Sequence, residues 1–384
     1  MKQEMITYLS TIKNDIFNLS KYLYENPESS FNEHKAYNYI VEILKKNHFS
    51  VTDHYLKIPT AFMAQYGKGH PKICFFCEYD ALENSGHLVG HNLISAASIA
   101  AGLALSKVIN KTGGSVIILG CPGEFIGSAK ITMAKQGTFN DIDAALMIHP
   151  DIYTAESGTS NAVLPLKITY TGKDELSYRK VSGYSSLDAC IFTFNALTLL
   201  SKGFEEGCSI DGVIVQGGSS PHMMPSKTES KFYIRTPKMA QAECIERTIK
   251  ELVKTTSSLM DISSDVCLYE MPYDELITNR TLSRLFSHNL KESGIIDVDK
   301  PKDTASGLSI GTISHIIPCI HPYINIVDDS NIKYSSNEFA AATISDLAQD
   351  RIMKAAQALA QTGFDLITNE NLLKEARLEL CKDV

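Results

Sequence analysis

The sequence predicts a mixed α/β protein in which one discontinuous α/β domain is interrupted by a smaller inserted βαββαβ domain. Three observations predict this. Residues 115–120 and 144–148 are short apolar runs rich in β-branched or small side chains, the mark of strands covered on both faces of a sheet. Helical periodicity surrounds those runs, so helices are available to cover them. Between residues 164 and 276 the pattern changes to strand, helix, strand, strand, helix, strand, a unit able to bury its own core, and helical periodicity then returns.

Each element has a local reason. Ile6, Leu9, Ile12, Ile16, Leu19 and Leu23 recur at helical spacing over residues 3–25, and Asn26-Pro27 ends the pattern. A second helix fits residues 33–46. Strand-like pieces follow at 50–55, 61–66 and 72–77, then a Gly/His-rich turn at 86–91 and an Ala-rich helix over 93–108. In the inserted region the strands fall at 164–171, 212–216, 226–236 and 265–270, and the helices at 185–201 and 241–256. After it come a helix, a strand near 321–326 and a long helix over 343–366. The domain boundaries read as 1–163 with 277–384, and 164–276.

Composition narrows the function. The chain has 384 residues, 36 Lys and Arg against 44 Asp and Glu, and a formal net charge of −8. No cationic block accompanies that charge, which argues against nucleic-acid partners and against an anionic membrane surface. The N-terminal segment lacks the apolar core of a signal peptide, and no segment approaches about eighteen uninterrupted apolar residues, so a cytoplasmic location and no membrane partner are expected. The cysteines number nine, an odd count, and read as reduced thiols. Cys74 and Cys77 sit three apart on an expected strand and so face opposite sides, which disfavours a shared metal.

Candidate chemistry gathers where strands end. Asp80, Glu124 and His149 each follow an expected strand, and His91 stands between the Gly/His-rich turn and the next helix. Ligands in open α/β sheets bind outside such strand ends. Two carboxylates and two imidazoles there suit either a divalent metal or acid/base work, with separate structural roles as the alternative.

Five strings then carry a resemblance: Glu78-Tyr79-Asp80-Ala81-Leu82, Gly86-His87-Leu88-Val89-Gly90-His91-Asn92-Leu93-Ile94, Pro122-Gly123-Glu124, Ile148-His149-Pro150 and Ile317-Pro318-Cys319-Ile320-His321-Pro322-Tyr323. In this order they resemble zinc metallopeptidase family twenty, which takes in aminoacylases, auxin-conjugate amidohydrolases, aminobenzoyl-glutamate hydrolase and related dipeptidases. Leu187-Asp188-Ala189 and Phe232-Tyr233-Ile234-Arg235 resemble that family's lid. The resemblance implies a metallopeptidase-like catalytic domain with an inserted lid and dimerisation domain, and a homodimer through the lid. It implies a two-metal site with Glu124 as general base, Asp80 beside it and His91 and His149 as metal ligands. Substrate contacts carry over to Asn92, Arg235 and His222, the last where the family has an asparagine after proline.

Departures from the pattern fall on the metal. Val89 stands where this branch has a bridging cysteine, Phe125 where a second glutamate binds metal, and Ser335 where a histidine is expected before Glu338-Phe339-Ala340. Valine and phenylalanine have no donor atom. The expected cofactor is therefore at most one zinc or other divalent ion, with none as the alternative. The implied function is recognition of a small N-acyl amino acid or dipeptide-like ligand by a peptidase or amidohydrolase-type protein. Two alternatives stay open: a non-catalytic pseudoenzyme acting as a binding or regulatory subunit, and a metal-independent enzyme of altered reaction type.

Overall fold

The computed structural model describes residues 1–172, 175–176 and 183–383. The chain divides into two compact units, Met1–Thr159 with Leu276–Asp303 and Thr312–Val384, and Ser160–Glu275 with Thr304–Gly311.

The first unit opens with helices α1 (Lys2–Glu25) and α2 (His34–Lys46), then strands β1 (Ser50–Asp53), β2 (Phe62–Lys68) and β3 (Lys72–Cys77). Helix α3 (His91–Thr112), strand β4 (Gly114–Gly120), helix α4 (Ala129–Lys135) and strands β5 (Ala144–Leu146) and β6 (His149–Asp151) follow. The single run expected over 144–148 is thus split. The chain leaves β5 at Leu146 and re-enters pairing at His149 in a different sheet.

Strand β7 (Ala155–Thr171) leads into the inserted unit, which continues with β8 (Glu175–Leu176), α5 (Ser186–Leu200), β9 (Ser209–Gln216), β10 (Met223–Met224), β11 (Lys227–Thr236), α6 (Met239–Met260) and β12 (Ser263–Leu268). Strands β9, β11, β7 and β12 lie side by side in that order, antiparallel throughout. Alternate residues of β11 are buried, and Phe232 and Ile234 pack with Leu166, Ile168, Ile245 and Ile249 between sheet and helices. The expected βαββαβ order is present, with β8 and β10 as a small added pair. The segment Thr304–Gly311 also joins this unit, and no local pattern in the sequence marks it.

The chain then forms α7 (Arg280–Glu292), β13 (Asp299–Gly307), α8 (Ile310–Ser314), β14 (Cys319–Ile320), β15 (Tyr323–Asn325), α9 (Asn337–Ala342), α10 (Asp346–Thr368) and α11 (Glu370–Asp383). Strand β13 leaves no signal in the sequence because its residues are polar and mostly exposed, so no alternation marks it.

The first unit's main sheet has the order β1-β2-β4-β3-β5-β14. Strands β4, β3, β5 and β14 run parallel, which places all their carboxyl ends on one edge. Every residue of β4 is buried, as expected for a central strand. Helix α3 packs on β3 and β4, and α1 and α10 pack on α3. By length and composition α3 could cross a membrane, but 94% of its apolar window lies inside the protein, where two neighbouring helices and the sheet cover it.

Gly120 ends β4 beneath the Phe62 ring, whose atoms would lie 2.2 to 2.8 Å from an added Cβ. Phe62 is fully buried and has no room to withdraw. Gly120→Ala is expected to destabilise the protein by about 1–3 kcal/mol, read as a lower urea midpoint at unchanged slope, and Phe62→Leu in the same chain should recover part of the loss.

Candidate functional site

Parallel strands build the site. Because β4, β3, β5 and β14 end on one edge, the residues that follow them, Glu124, Glu78 with Asp80, His149 and His321, emerge together. Gly90 supplies the turn into α3 with a φ of 84°, a region that L side chains rarely adopt, and an added Cβ would lie 3.0 Å from Pro150. That turn sets His91 as the first residue of α3.

Asp80 is fully buried. Its Oδ1 is 2.9 Å from His91 Nδ1, while Oδ2 accepts from Ser30 Oγ at 2.7 Å and from the Phe125 backbone N–H at 3.1 Å. Burial disfavours its charge, but the bond and charge of His91, with the Ser30 and Phe125 donors, outweigh that and hold the carboxyl below its ordinary range. His91 mirrors it. Burial opposes the imidazolium, yet Asp80, Glu78 and Glu124 together push its pKa up to about 9. The other ring nitrogen, Nε2, lies 3.5 Å from Glu78 Oε2, and the ring stacks on Phe125 at 4.8 Å between centroids.

Lys130, which no motif in the sequence singles out, lies at the centre. Its side chain has no exposed surface, and Nζ donates to Glu78 Oε1 at 2.5 Å and to Glu124 Oε2 at 2.6 Å. Ser128 begins α4 by accepting from the Lys130 backbone N–H, which fixes the lysine on the first turn. Burial works against the ammonium, but Glu124 and Glu78 more than offset it and raise its pKa. Glu78 is itself pushed up by burial and by Glu124, against the pull of Lys130 and His91. Three carboxylates therefore meet two organic cations in one buried network. The sequence signal for Lys130 is slight: one lysine in the apolar stretch Ala129-Lys130-Ile131, six residues after Glu124.

His149 is buried, and its Nδ1 donates to the Pro150 carbonyl at 2.8 Å, so Nε2 carries the lone pair. Burial lowers its pKa to about 4, and the ring is neutral. His321 lies 5.3 Å away between ring centroids, with an Nδ1 that finds no hydrogen-bond partner among the described residues.

Other expected residues are placed differently. Asn92 is fully buried, and its amide donates to Ser20 Oγ at 3.2 Å and Thr343 Oγ1 at 3.0 Å, so it ties α3 to α1 and to the end of α9. His87, in the same string as His91, turns Nε2 to the Leu23 carbonyl of α1. Val89 is half-buried, and Ser335 is exposed in a turn with a φ of 62°. Arg235 and His222 belong to the inserted unit. There Arg235 pairs with Asp211 across β9 and β11, and His222 is exposed. Cys74 and Cys77 are free and buried.

A buried ammonium held by two carboxylates should not be removable by halves. Lys130→Met is expected to cost about 3–5 kcal/mol because it strands buried charge, whereas adding Glu78→Gln to that variant should return part of the loss. A double-mutant cycle in urea denaturation measures the coupling.

No protein-family model matches the chain. It is 29% identical over 384 residues to a Mus musculus protein named Xaa-Arg dipeptidase, with 95% of this chain and 88% of that one covered. It is 28% identical over 295 residues to one of the subunits of p-aminobenzoyl-glutamate hydrolase from Escherichia coli (strain K12), covering 71% of this chain and 61% of that protein. Among solved structures, a Bacillus subtilis protein described as a dinuclear metal binding peptidase from the M20 family overlays with a TM-score of 0.64 at 16% identity, over 92% of this chain and 99% of its own. At that identity the overlay speaks for the fold. In sequence and in fold, then, the chain stands with the metallopeptidase family that its motifs resemble, among relatives named Xaa-Arg dipeptidase and p-aminobenzoyl-glutamate hydrolase.

Proposed function

We propose that this chain is a peptidase- or amidohydrolase-type protein that recognises a small dipeptide or N-acyl amino acid at the carboxyl edge of its main sheet, with Glu124 as the acid/base group. The observation that carries the reading is the meeting of Glu124 with Asp80 and His91 through Glu78 and Lys130. Of the three carboxylates there, Glu78 is 4% exposed, Asp80 0% and Glu124 17%, so Glu124 is the one within reach of a ligand and its attacking water. The near full-length relation to a protein named for dipeptides, and the partial one to a protein named for aminobenzoyl-glutamate, support the substrate class. In this reading Asp80 orients His91.

A metal pair fits these donors poorly. Val89 and Phe125 offer no lone pair, Ser335 lies in an exposed turn, and the oxygens of Glu78 and Glu124 converge on Lys130 Nζ. Among the described residues no group of three or more His, Cys, Asp or Glu side chains is gathered as a ligand set. At most one divalent ion is proposed, with His149 Nε2 as the donor oriented to take it, and His91 as a second donor only on loss of the proton that Asp80 and Glu78 hold on its ring. No step here is routed through it.

The homodimer expected from the resemblance remains part of the proposal. Among the described residues strand β9 pairs only with β11, and Val213, Ile214 and Val215 along it are exposed, an apolar strand edge of the kind that a second copy would cover.

The test is a panel of dipeptides, including those ending in arginine, with N-acyl amino acids and p-aminobenzoyl-glutamate, each with and without chelator. Turnover is expected, and Glu124→Gln should lower kcat by about 10²–10⁴-fold. Ligand-dependent thermal stabilisation without turnover would move the chain to the binding-protein alternative. Neither turnover nor stabilisation with any member would sink the reading.

A further inference from the structure

Lys130 has the surroundings of a bound cation. Its Nζ sits 2.5 and 2.6 Å from two carboxylate oxygens supplied by different strand ends, with no solvent contact, and the Phe76 ring lies 5.9 Å from it. A third carboxylate, Asp80, is joined to the same group through His91. An ordinary surface lysine is hydrated on a flexible stem. Here the sequence places a lysine on the first turn of α4, six residues beyond one of its own partners, in the position from which its stem reaches under the edge of the sheet.

We propose that the Lys130 ammonium holds the cation position of this carboxylate nest, so that the site is charged by an internal cation that cannot exchange, instead of by a divalent metal ion. The proposal deepens the functional reading above and rests on it only for the assignment of this edge as the site. Its chemistry follows from the donor. An ammonium offers N–H groups and no empty orbital, so it stabilises negative charge through hydrogen bonds and does not bind water as a Lewis acid would. A divalent ion entering beside it would meet positive charge in a poorly screened interior and would compete for oxygens already bonded. Val89, Phe125 and Ser335 in place of metal ligands are then consistent: with the cation supplied from within, nothing else at the edge has to hold one.

The experiment measures metal directly. Wild type, Lys130→Ala, Lys130→Ser and Lys130→Ala with Glu78→Gln, all full-length, are incubated with excess zinc, dialysed against metal-free buffer and analysed by atomic absorption, with thermal unfolding followed with and without zinc. Wild type is expected to retain no equivalent and to show no zinc-dependent shift in Tm. Lys130→Ala or Lys130→Ser should retain one equivalent and gain Tm with zinc, and Glu78→Gln in that background should abolish both. A small variant that folds only when zinc is present supports the proposal equally. It is overturned if wild type retains zinc that Glu124→Gln releases. Folded small variants that take up none overturn it too, as do variants that fold neither with nor without zinc. The hydrolysis panel is independent: turnover that needs zinc retained by wild type would remove this inference and leave the functional reading standing, whereas a zinc-free wild type without turnover or binding would do the reverse.

Discussion

Three carboxylates on one buried edge cannot all remain ionised without compensating charge, and that constraint organises the first unit. Parallel strands necessarily deliver their carboxyl-terminal residues to one side, so Glu78, Asp80 and Glu124 are brought together by topology before any chemistry is considered. Desolvation would protonate an isolated group of this kind. Lys130 and His91 answer it with two fixed cations. Each cation is then held charged against its own burial, the lysine by Glu124 and Glu78, the imidazole by Asp80 first. Because each charge is stable only through the others, the loops carrying them, the Ser30 region, the Gly90 turn and the start of α4, are tied to one another through side chains as well as through packing.

Phe125 illustrates how an apolar residue serves a polar site. Its backbone N–H donates to Asp80 Oδ2, which any residue but proline could do, and its ring lies against His91 at 25° between planes. The ring excludes water from one face of the imidazolium and so strengthens the His91–Asp80 interaction, since both act through a lower local dielectric. A carboxylate at the same position would add a fourth negative charge to the group. The side chain that removes a metal donor thus also suits the charge balance that Lys130 and His91 maintain.

Much of the fold was legible because burial leaves a periodic trace. The uninterrupted run of β4, the helical spacing of α1 and the strand–helix order of the inserted unit all read directly from apolar side chains. Where burial leaves no trace, reading failed. Strand β13 is polar along its length, and the step at Met147-Ile148 between two sheets is hidden inside one apolar run, since both residues are fully buried. Within the site, Asp80, His91, Glu124 and His149 were legible as strand-end or turn residues. Lys130 was not, because a lysine two residues into a short helix ordinarily faces water, and only the three-dimensional meeting of two strand ends makes a buried position for its charge. Asn92 shows the opposite case. It lies in a motif string, yet its amide is used to join helices, a role that the local sequence has no means to announce.

The exchangeability of a cation matters as much as its charge. A divalent ion brings strong polarisation and open coordination positions, and it can leave when its concentration falls. A lysine brings one charge on a covalent stem, is present in every copy at every metal concentration, and orients its donors only as far as its neighbours fix them. Here Glu78 and Glu124 fix them from two sides, and the more exposed of the pair is the group closest to any ligand. Any chemistry at this edge therefore begins with a carboxylate already hydrogen-bonded to a buried ammonium 2.6 Å away.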